Sequence, residues 1–254
     1  MLRPRIIPTL LIHQNGLTKT INFKNKKYIG DPINIVKIFN EKRVDELIIL
    51  DIDATVMERD PNYSLIKNIS QESRMPLCYG GGIKNIEQAN KIIGLGVEKL
   101  AFSSAAIENP ILLSEIVNII GSQSVVCVLD TKYDTIQKKH VIWTHNGIKN
   151  QKIFLQDAVI NLQKIGIGEI VINSIDKDGT MSGYDINMIK NIIDLVNIPL
   201  TILGGAGSFE DIKDVINNFG LIGVAAGSLF IYKGVYKAVL VNYINNEQKK
   251  SLLL

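Results

Sequence analysis

Glycines and one aspartate at the ends of apolar segments are the strongest chemical signal in this chain. Asp130 closes the run VVCVLD, and a carboxylate at the end of a parallel strand could exchange protons with a bound intermediate. The glycine-rich segments YGGG (79–82) and GGAG (204–207) also follow apolar runs, where backbone N–H groups are presented to anions. Together these features predict acid–base chemistry on a phosphorylated small molecule.

Two phosphate sites are predicted, one in each half of the chain. The first would use Gly82, Ser103 and Ser104. The second would use Asp178, Gly179, Gly205, Gly227 and Ser228, with IDKDGTMSGYD (175–185) as a substrate-covering loop. Two simpler interpretations stay open, namely tight turns for the glycines and loop capping for Asp51, Asp53, Asp176 and Asp178. The chain has no GxxxxGK[ST] segment, which excludes a nucleotide P-loop.

A second charged set stands at the beginnings of strand-like runs rather than at their ends. It consists of two cations and two anions, Arg5, Glu46, Lys99 and Glu169. In a barrel these four side chains would meet at the bottom and seal the interior. Ordinary stabilising ion pairs are the alternative that the sequence leaves open.

Eight apolar runs of strand length position these residues, and amphipathic helical stretches separate them. The runs are 6–12, 47–52, 76–79, 99–102, 124–129, 170–173, 200–203 and 222–225. The helices are predicted at 32–41, 85–93, 109–120, 155–165 and 209–218. This alternation predicts a single α/β domain, a (β/α)8 TIM barrel over residues 1–254.

The two halves of the chain repeat each other. Glu46 and Glu169 open similar runs, and the same spacing relates Gly81 to Gly204. We therefore predict two duplicated half-barrels, about 1–122 and 123–245, followed by a short frayed tail. Residues 133–148 are predicted to form an inserted hairpin, and residues 19–29 are predicted to form a flexible loop.

Composition narrows the environment and the partners. The net charge of +3 is too small to indicate nucleic acid, and IIPTLLI is too short for a membrane span, so we expect a cytoplasmic protein that binds neither. Cys78 and Cys127 lie inside apolar runs and are expected to be buried. No metal and no organic cofactor are expected.

Motifs over essentially the entire chain resemble the HisF family, the cyclase subunit of imidazole glycerol phosphate synthase. In chain order they are RII, INF, GDP, DELIILDI, YGGGI, AAIENP, GSQSVV, SIDKDGT, SGYD and GGAG. The resemblance implies a barrel that takes ammonia from a HisH-like glutaminase at its bottom. At its top, the barrel would convert the bis-phosphorylated ribulosyl compound PRFAR to imidazole glycerol phosphate and AICAR.

The resemblance also assigns roles to single residues. Arg5, Glu46, Lys99 and Glu169 match the ammonia gate, Lys19 matches a mobile-loop lysine, and Asp130 matches one of two catalytic aspartates. Gly82, Ser103, Ser104, Gly205 and Gly227 fall on phosphate-contact positions.

Leu11 departs from the family pattern, because the other catalytic aspartate belongs at its position. The segments RDPNY, PLCYGGGI, NSIDKDGTM and AAGSLF instead resemble a HisF-like paralogue from surface-polysaccharide clusters. That paralogue implies ammonia delivery for acetamidino-sugar formation, with a third, amidotransferase protein as a further partner. We favour this function over histidine biosynthesis. An isomerase of the related HisA type is least favoured, because it would also need the missing carboxylate.

Overall fold

Strands and helices alternate along the computed structural model, which describes residues 3–252. The strands are β1 (Arg5–His13), β2 (Gly16–Ile21), β3 (Lys24–Gly30), β4 (Leu47–Asp51), β5 (Leu77–Gly80), β6 (Lys99–Phe102), β7 (Val125–Asp134), β8 (Lys139–Thr144), β9 (Lys149–Phe154), β10 (Glu169–Ser174), β11 (Leu200–Leu203), β12 (Gly223–Ala226), β13 (Tyr232–Lys233) and β14 (Ala238–Val239). The helices are α1 (Pro32–Glu41), α2 (Tyr63–Glu72), α3 (Ile86–Gly94), α4 (Ser104–Glu108), α5 (Pro110–Ile120), α6 (Leu155–Ile165), α7 (Ile186–Lys190), α8 (Phe209–Phe219), α9 (Ser228–Ile231) and α10 (Asn246–Ser251). Two 3₁₀ turns, Ser122–Ser124 and Ile193–Leu195, complete the set.

Eight parallel strands close into a barrel. The order is β1, β4, β5, β6, β7, β10, β11 and β12, and β12 pairs again with β1. The predicted (β/α)8 fold is therefore confirmed. The boundaries of the two half-barrels stay a prediction.

Helix starts follow the capping signals in the sequence. The Asp31 side chain accepts a hydrogen bond from the Asn34 N–H before α1, and Pro32 takes the first helical turn, where a missing N–H costs nothing. Ser208 and Asp211 form a reciprocal capping box at α8. These caps fix where each helix leaves the strand before it.

The core has two layers. Apolar faces of the helices pack on the outside of the barrel, with Phe39 and Phe230 among its largest buried side chains. Small and branched residues, including Ile7, Ile48 and Val171, form a separate cluster inside the barrel. Both cysteines are buried, as predicted.

The segment after the first strand was wrongly predicted as a flexible loop over residues 19–29. It forms a hairpin of β2 and β3 that extends from β1, and we call it the N-terminal hairpin. Gln14 and Asn15 form its first turn with φ angles of 50° and 64°, a conformation that matches the twist of a two-residue hairpin.

Two other predictions concern local structure. The hairpin after the fifth barrel strand is confirmed and is larger than expected, because β9 adds a third antiparallel strand to β7 and β8. The tail is ordered through α10 rather than frayed, because Asn245 and Gln248 cap it reciprocally and Lys249 pairs with Asp45. The last two residues of the predicted tail lie outside the described residues. No helix in residues 3–252 is long and apolar enough to cross a bilayer.

Candidate functional site

Four charged side chains meet at the bottom of the barrel, and we call them the charged ring: Arg5, Glu46, Lys99 and Glu169. Arg5 donates to Glu46 at 2.6 Å and to Glu169 at 2.7 Å. Lys99 donates to the same two carboxylates at 2.8 and 2.9 Å. Each cation therefore bridges both anions, which closes the ring as the sequence predicts.

The neighbours of Glu169 and Lys99 in the charged ring favour the charged forms of these two side chains. Burial alone would raise the pKa of Glu169, but hydrogen bonds and charge from Arg5, together with the charge of Lys99, lower it. Burial would lower the pKa of Lys99, but the two glutamates raise it. The formal charges of the two cations and the two anions cancel, so the charged ring has no net charge.

An apolar layer lies directly above the charged ring. Ile7, Ile48, Val126, Val171 and Ala225 belong to this cluster. Cys78 is in the same layer, and burial followed by the charges of Glu46 and Glu169 raises the pKa of its thiol. A neutral molecule would cross this layer more readily than an ion would.

All the residues predicted at the top of the barrel line one cavity, which we call the mouth cavity. The predicted residues in its lining are Leu11, Lys19, Gly82, Ser103, Ser104, Asp130, Asp178, Gly179, Gly205, Gly227 and Ser228. Leu11, Lys19 and Asp130 lie within strands, and the others follow the ends of barrel strands. They share one space because parallel strands end at one face of the barrel.

Asp130 lies at the floor of the mouth cavity. Ser103 Oγ donates to it at 3.3 Å and Asn173 Nδ2 at 2.9 Å. Burial raises its pKa to about 7 against these two bonds, which lower it. A carboxyl group in this range can both accept and release a proton near neutral pH.

Leu11 occupies the β1 position that faces the same cavity. Its neighbour on the adjacent strand β4 is Leu50, which also lines the cavity. The wall opposite Asp130 is therefore apolar at this height, and Leu11 cannot transfer a proton.

Lys19 lies beneath the N-terminal hairpin rather than on an exposed loop. Its Nζ donates to the Thr9 carbonyl at 2.5 Å, and it would contact a Cβ added at Gly227. Burial lowers the pKa of Lys19 to about 8, partly offset by the charge of Asp178. The ammonium group thus lies beside the predicted second phosphate site.

The N-terminal hairpin spans the mouth and is anchored on its far side. Thr20 Oγ1 donates to Asp178 at 2.7 Å, and Asn22 donates to the carbonyls of Ile175 and Asp176. The hairpin is held by the β10 loop, so the cavity is covered in this conformation.

The glycines that end β5 and β11 have matching left-handed backbone angles. Gly81 and Gly82 have φ of 125° and 74°, and Gly204 and Gly205 have φ of 100° and 107°. An added Cβ at Gly82 would lie 2.8 Å from Ala54 Cβ. Only glycine fits these turns, and all four residues line the cavity. In this conformation the Gly82 N–H donates to Thr55 Oγ1 at 3.3 Å.

Three of the other acidic residues cap loops, which supports the capping interpretation for them. Asp51 accepts from the backbone of Asp53 and Ala54, and Asp176 accepts from the Tyr133 N–H. Asp53 accepts from the Gln14 N–H at 2.8 Å and also contacts His13 Nδ1 at 2.7 Å. Within the described residues, His13 and Asp53 do not line the mouth cavity.

Sequence reasoning did not identify several residues of the cavity wall. Thr9 and Asn173 line its floor, Phe23 comes from the N-terminal hairpin, and His145 and Asn146 come from the β8–β9 turn. Thr9 lies in none of the quoted motifs, and Asn173 opens the segment NSIDKDGTM but has no role predicted from the sequence. The turn residues reach the cavity only through hairpins. Their alternation along β1 and β10 is the signal that could have found Thr9 and Asn173.

Comparison with known proteins gives one consistent family. The family model described as histidine biosynthesis protein matches residues 5–237. A protein of Leptospira borgpetersenii with the provisional name imidazole glycerol phosphate synthase subunit HisF is 54% identical over 252 residues, 99% of each chain. A Pseudomonas aeruginosa protein, provisionally subunit hisF2 of the same synthase, is 45% identical over 96% of each chain. The Petrotoga mobilis imidazole glycerol phosphate synthase subunit HisF is 37% identical over 94% of each.

Proposed function

The chain belongs to the histidine biosynthesis protein family as a HisF-like member, and from this we propose that it is an ammonia-handling synthase subunit. It receives ammonia from a HisH-like glutaminase at the bottom of the barrel and passes it upward through the interior. We propose that the ammonia is used for amidination of a surface-polysaccharide sugar, together with a third, amidotransferase protein.

The charged ring and the apolar layer above it support the passage of ammonia. Arg5 and Lys99 each bridge both glutamates in the closed arrangement observed. Passage would require one of these ion pairs to open. Neutral ammonia then enters an apolar layer that excludes ions. We propose a gate role for the charged ring on this basis.

Leu11 is the single observation that carries the redeployment. The resemblance implies two acids on opposite sides of the mouth cavity, at positions 11 and 130. Asp130 is present at one of these positions, and Leu11 stands at the other. Loss of one member of an acid–base pair costs about 10²–10⁴-fold in rate. Such a loss is compatible with delivery of ammonia and poorly compatible with ring closure of a histidine precursor.

The mouth cavity supports a phosphorylated ligand. We propose that Gly82, Ser103 and Ser104 bind one phosphate group through N–H and hydroxyl groups. Gly205, Gly227 and Ser228, with Lys19 as the cation, would bind the other. Asp178 and Gly179 hold the covering hairpin in this arrangement, because the Asp178 carboxylate already accepts bonds from Thr20 and Phe23.

A second candidate is the cyclase reaction itself. It is favoured by the 37% identity to the Petrotoga mobilis HisF subunit and by a mouth cavity with glycine turns on both sides. In that case Asp130 would transfer the protons alone, from a pKa near neutrality.

The test is transfer of labelled nitrogen. The chain is mixed with a HisH-like glutaminase and [amide-¹⁵N]glutamine, once with PRFAR and once with an amidotransferase, an N-acetylated nucleotide-linked sugar and ATP. ATP activates the acetamido oxygen, which leaves when ammonia adds to the carbon. We expect ¹⁵N in the sugar only. Label in imidazole glycerol phosphate would favour the cyclase, and label in neither product with all glutamine nitrogen released as ammonium would reject both.

A further inference from the structure

Two buried oxygen atoms without partners lie where the apolar layer ends. Thr9 is 2% exposed and Asn173 is 5% exposed, and both line the mouth cavity. Within the described residues, Thr9 Oγ1 and Asn173 Oδ1 have no hydrogen-bond partner. Buried polar atoms are nearly always paired, so these two oxygens are expected to accept hydrogen bonds from a small molecule in the cavity, water or ligand.

The orientation of the Asn173 amide is fixed by its neighbour. Its Nδ2 donates to Asp130 Oδ1 at 2.9 Å. When Asp130 is ionised, the reversed amide would place its oxygen against the carboxylate, which is unfavourable. Oδ1 therefore points away from Asp130, and it lies 3.0 Å from the position that a Cβ at Gly204 would occupy. Glycine at 204 keeps the approach to this oxygen open.

Thr9 is held by its backbone rather than by its hydroxyl. Its carbonyl accepts from Lys19 Nζ, and β1 pairs with β4 and β12 on either side. Because Ile7 precedes it on the same face of β1 and belongs to the apolar layer, Thr9 is the next side chain upward in the barrel. Its free hydroxyl stands at the exit of that layer.

We propose that Thr9 Oγ1 and Asn173 Oδ1 form an acceptor site for ammonia at the exit of the barrel passage. This proposal rests on the proposed function. It adds the position at which ammonia is bound before it reacts. Ammonia donates N–H groups to the two oxygens, and its lone pair remains free toward the ligand in the mouth cavity. Asp130 lies one hydrogen bond away, on the other end of the Asn173 amide.

The chemistry of the two atoms selects the ligand class. An amide oxygen only accepts, so a phosphate oxygen, which also accepts here, would not pair with Asn173 Oδ1. A small neutral donor fits, and both ammonia and water are of this class. The experiment must therefore distinguish an ammonia site from a water site.

The test measures the KM for ammonium in nitrogen transfer, with glutamine and glutaminase omitted and the acceptor identified by the labelled-glutamine experiment. Thr9→Val removes the hydroxyl at nearly constant volume, and Thr9→Ser restores it. Thr131→Val is the matched control, because its buried hydroxyl bonds the Val141 carbonyl away from the cavity lining. Asn173→Leu removes the second oxygen.

We expect Thr9→Val to raise the KM for ammonium about 2- to 10-fold, the effect of one hydrogen bond, with kcat changed less than twofold. Thr9→Ser should return to the unmodified value, and Thr131→Val should not differ from it. Asn173→Leu should raise KM and also lower kcat, because Asp130 loses a donor.

Equal KM values in Thr9→Val and the unmodified chain would overturn the site and indicate water there. A fall in kcat alone, shared with Thr131→Val, would show a structural role and would also overturn it. Absence of transfer in the unmodified chain would reject the proposed function itself, and the acceptor site with it.

Discussion

Replacing Lys99 with methionine should destabilise the fold, because it removes one of the two cations of the charged ring. Lys99 Nζ bonds Glu46 at 2.8 Å and Glu169 at 2.9 Å, and both carboxylates are buried. Breaking a buried ion pair by removing one partner costs about 3–5 kcal/mol. Lys99 is 21% exposed and Glu169 keeps Arg5 and Thr201, so we expect about 2–3 kcal/mol.

Urea unfolding followed by circular dichroism measures this change, with an unchanged m value as the sign that the denatured state is unaffected. For a chain of this size the loss corresponds to a fall in Tm of roughly 5–10 °C. The matched control is Lys213→Met, whose ion pair with Glu210 at 3.9 Å is exposed and contributes about 0–0.5 kcal/mol.

A second substitution separates charge from packing. In the Lys99→Met background Glu46 and Glu169 share Arg5 as their one cation of the charged ring. Glu46→Gln removes one of these two carboxylates, and we expect it to recover about 1 kcal/mol. A loss of unfolding free energy in Lys99→Met no larger than that in Lys213→Met would contradict this prediction. A loss of unfolding free energy in the double variant equal to the sum of the losses in the two single variants would also contradict it.

Three further predictions concern the mouth cavity. The unfolded chain releases the Asp130 proton near pH 3.8 and the native chain near pH 7, so ionisation of Asp130 opposes folding as the pH rises between these values. The free energy of unfolding of Asp130→Asn should therefore increase by about 1–3 kcal/mol relative to that of the unmodified chain from pH 4 to 7.5. A difference in urea midpoints that stays constant over this range would contradict the prediction. Lys19 loses its charge above about pH 8, so calorimetric affinity for a bis-phosphorylated sugar should fall from pH 7 to 9, and Lys19→Met should bind about 10-fold more weakly at pH 7 without that fall. Equal affinity in the two chains would remove Lys19 from the phosphate site. Gly205→Ala should cost about 2–4 kcal/mol, because φ is 107° and the new Cβ would contact the Gly183 carbonyl, whereas Gly94→Ala, with open space around its Cβ, should be neutral or stabilising in the same urea assay.

The barrel and both ends of its site could be predicted from the sequence, because strand order alone determines them. Glu46 and Glu169 open equivalent runs, and in a closed parallel barrel the beginnings of all strands meet at one face. The same rule brings Asp130 and the glycine turns together at the other face. No contact between them had to be known.

The N-terminal hairpin could not be predicted in this way. The sequence KNKKY in β3 is polar and lacks alternation, and its pairing depends on left-handed turns at Gln14-Asn15 and Asn22-Phe23. Lys19 is buried only because that hairpin folds over the mouth. Thr9 and Asn173 escaped notice because an unpaired oxygen is a property of three-dimensional contacts, which no spacing in the sequence records.

The most direct test of the proposed function is ammonium-dependent turnover of PRFAR by the purified chain, measured beside Leu11→Asp. We expect cyclase turnover by the unmodified chain to be about 10²–10⁴-fold slower than by Leu11→Asp, because Asp130 has no acid opposite it until the substitution restores the pair. Turnover by the unmodified chain at a rate equal to that of Leu11→Asp would contradict it and establish the cyclase function.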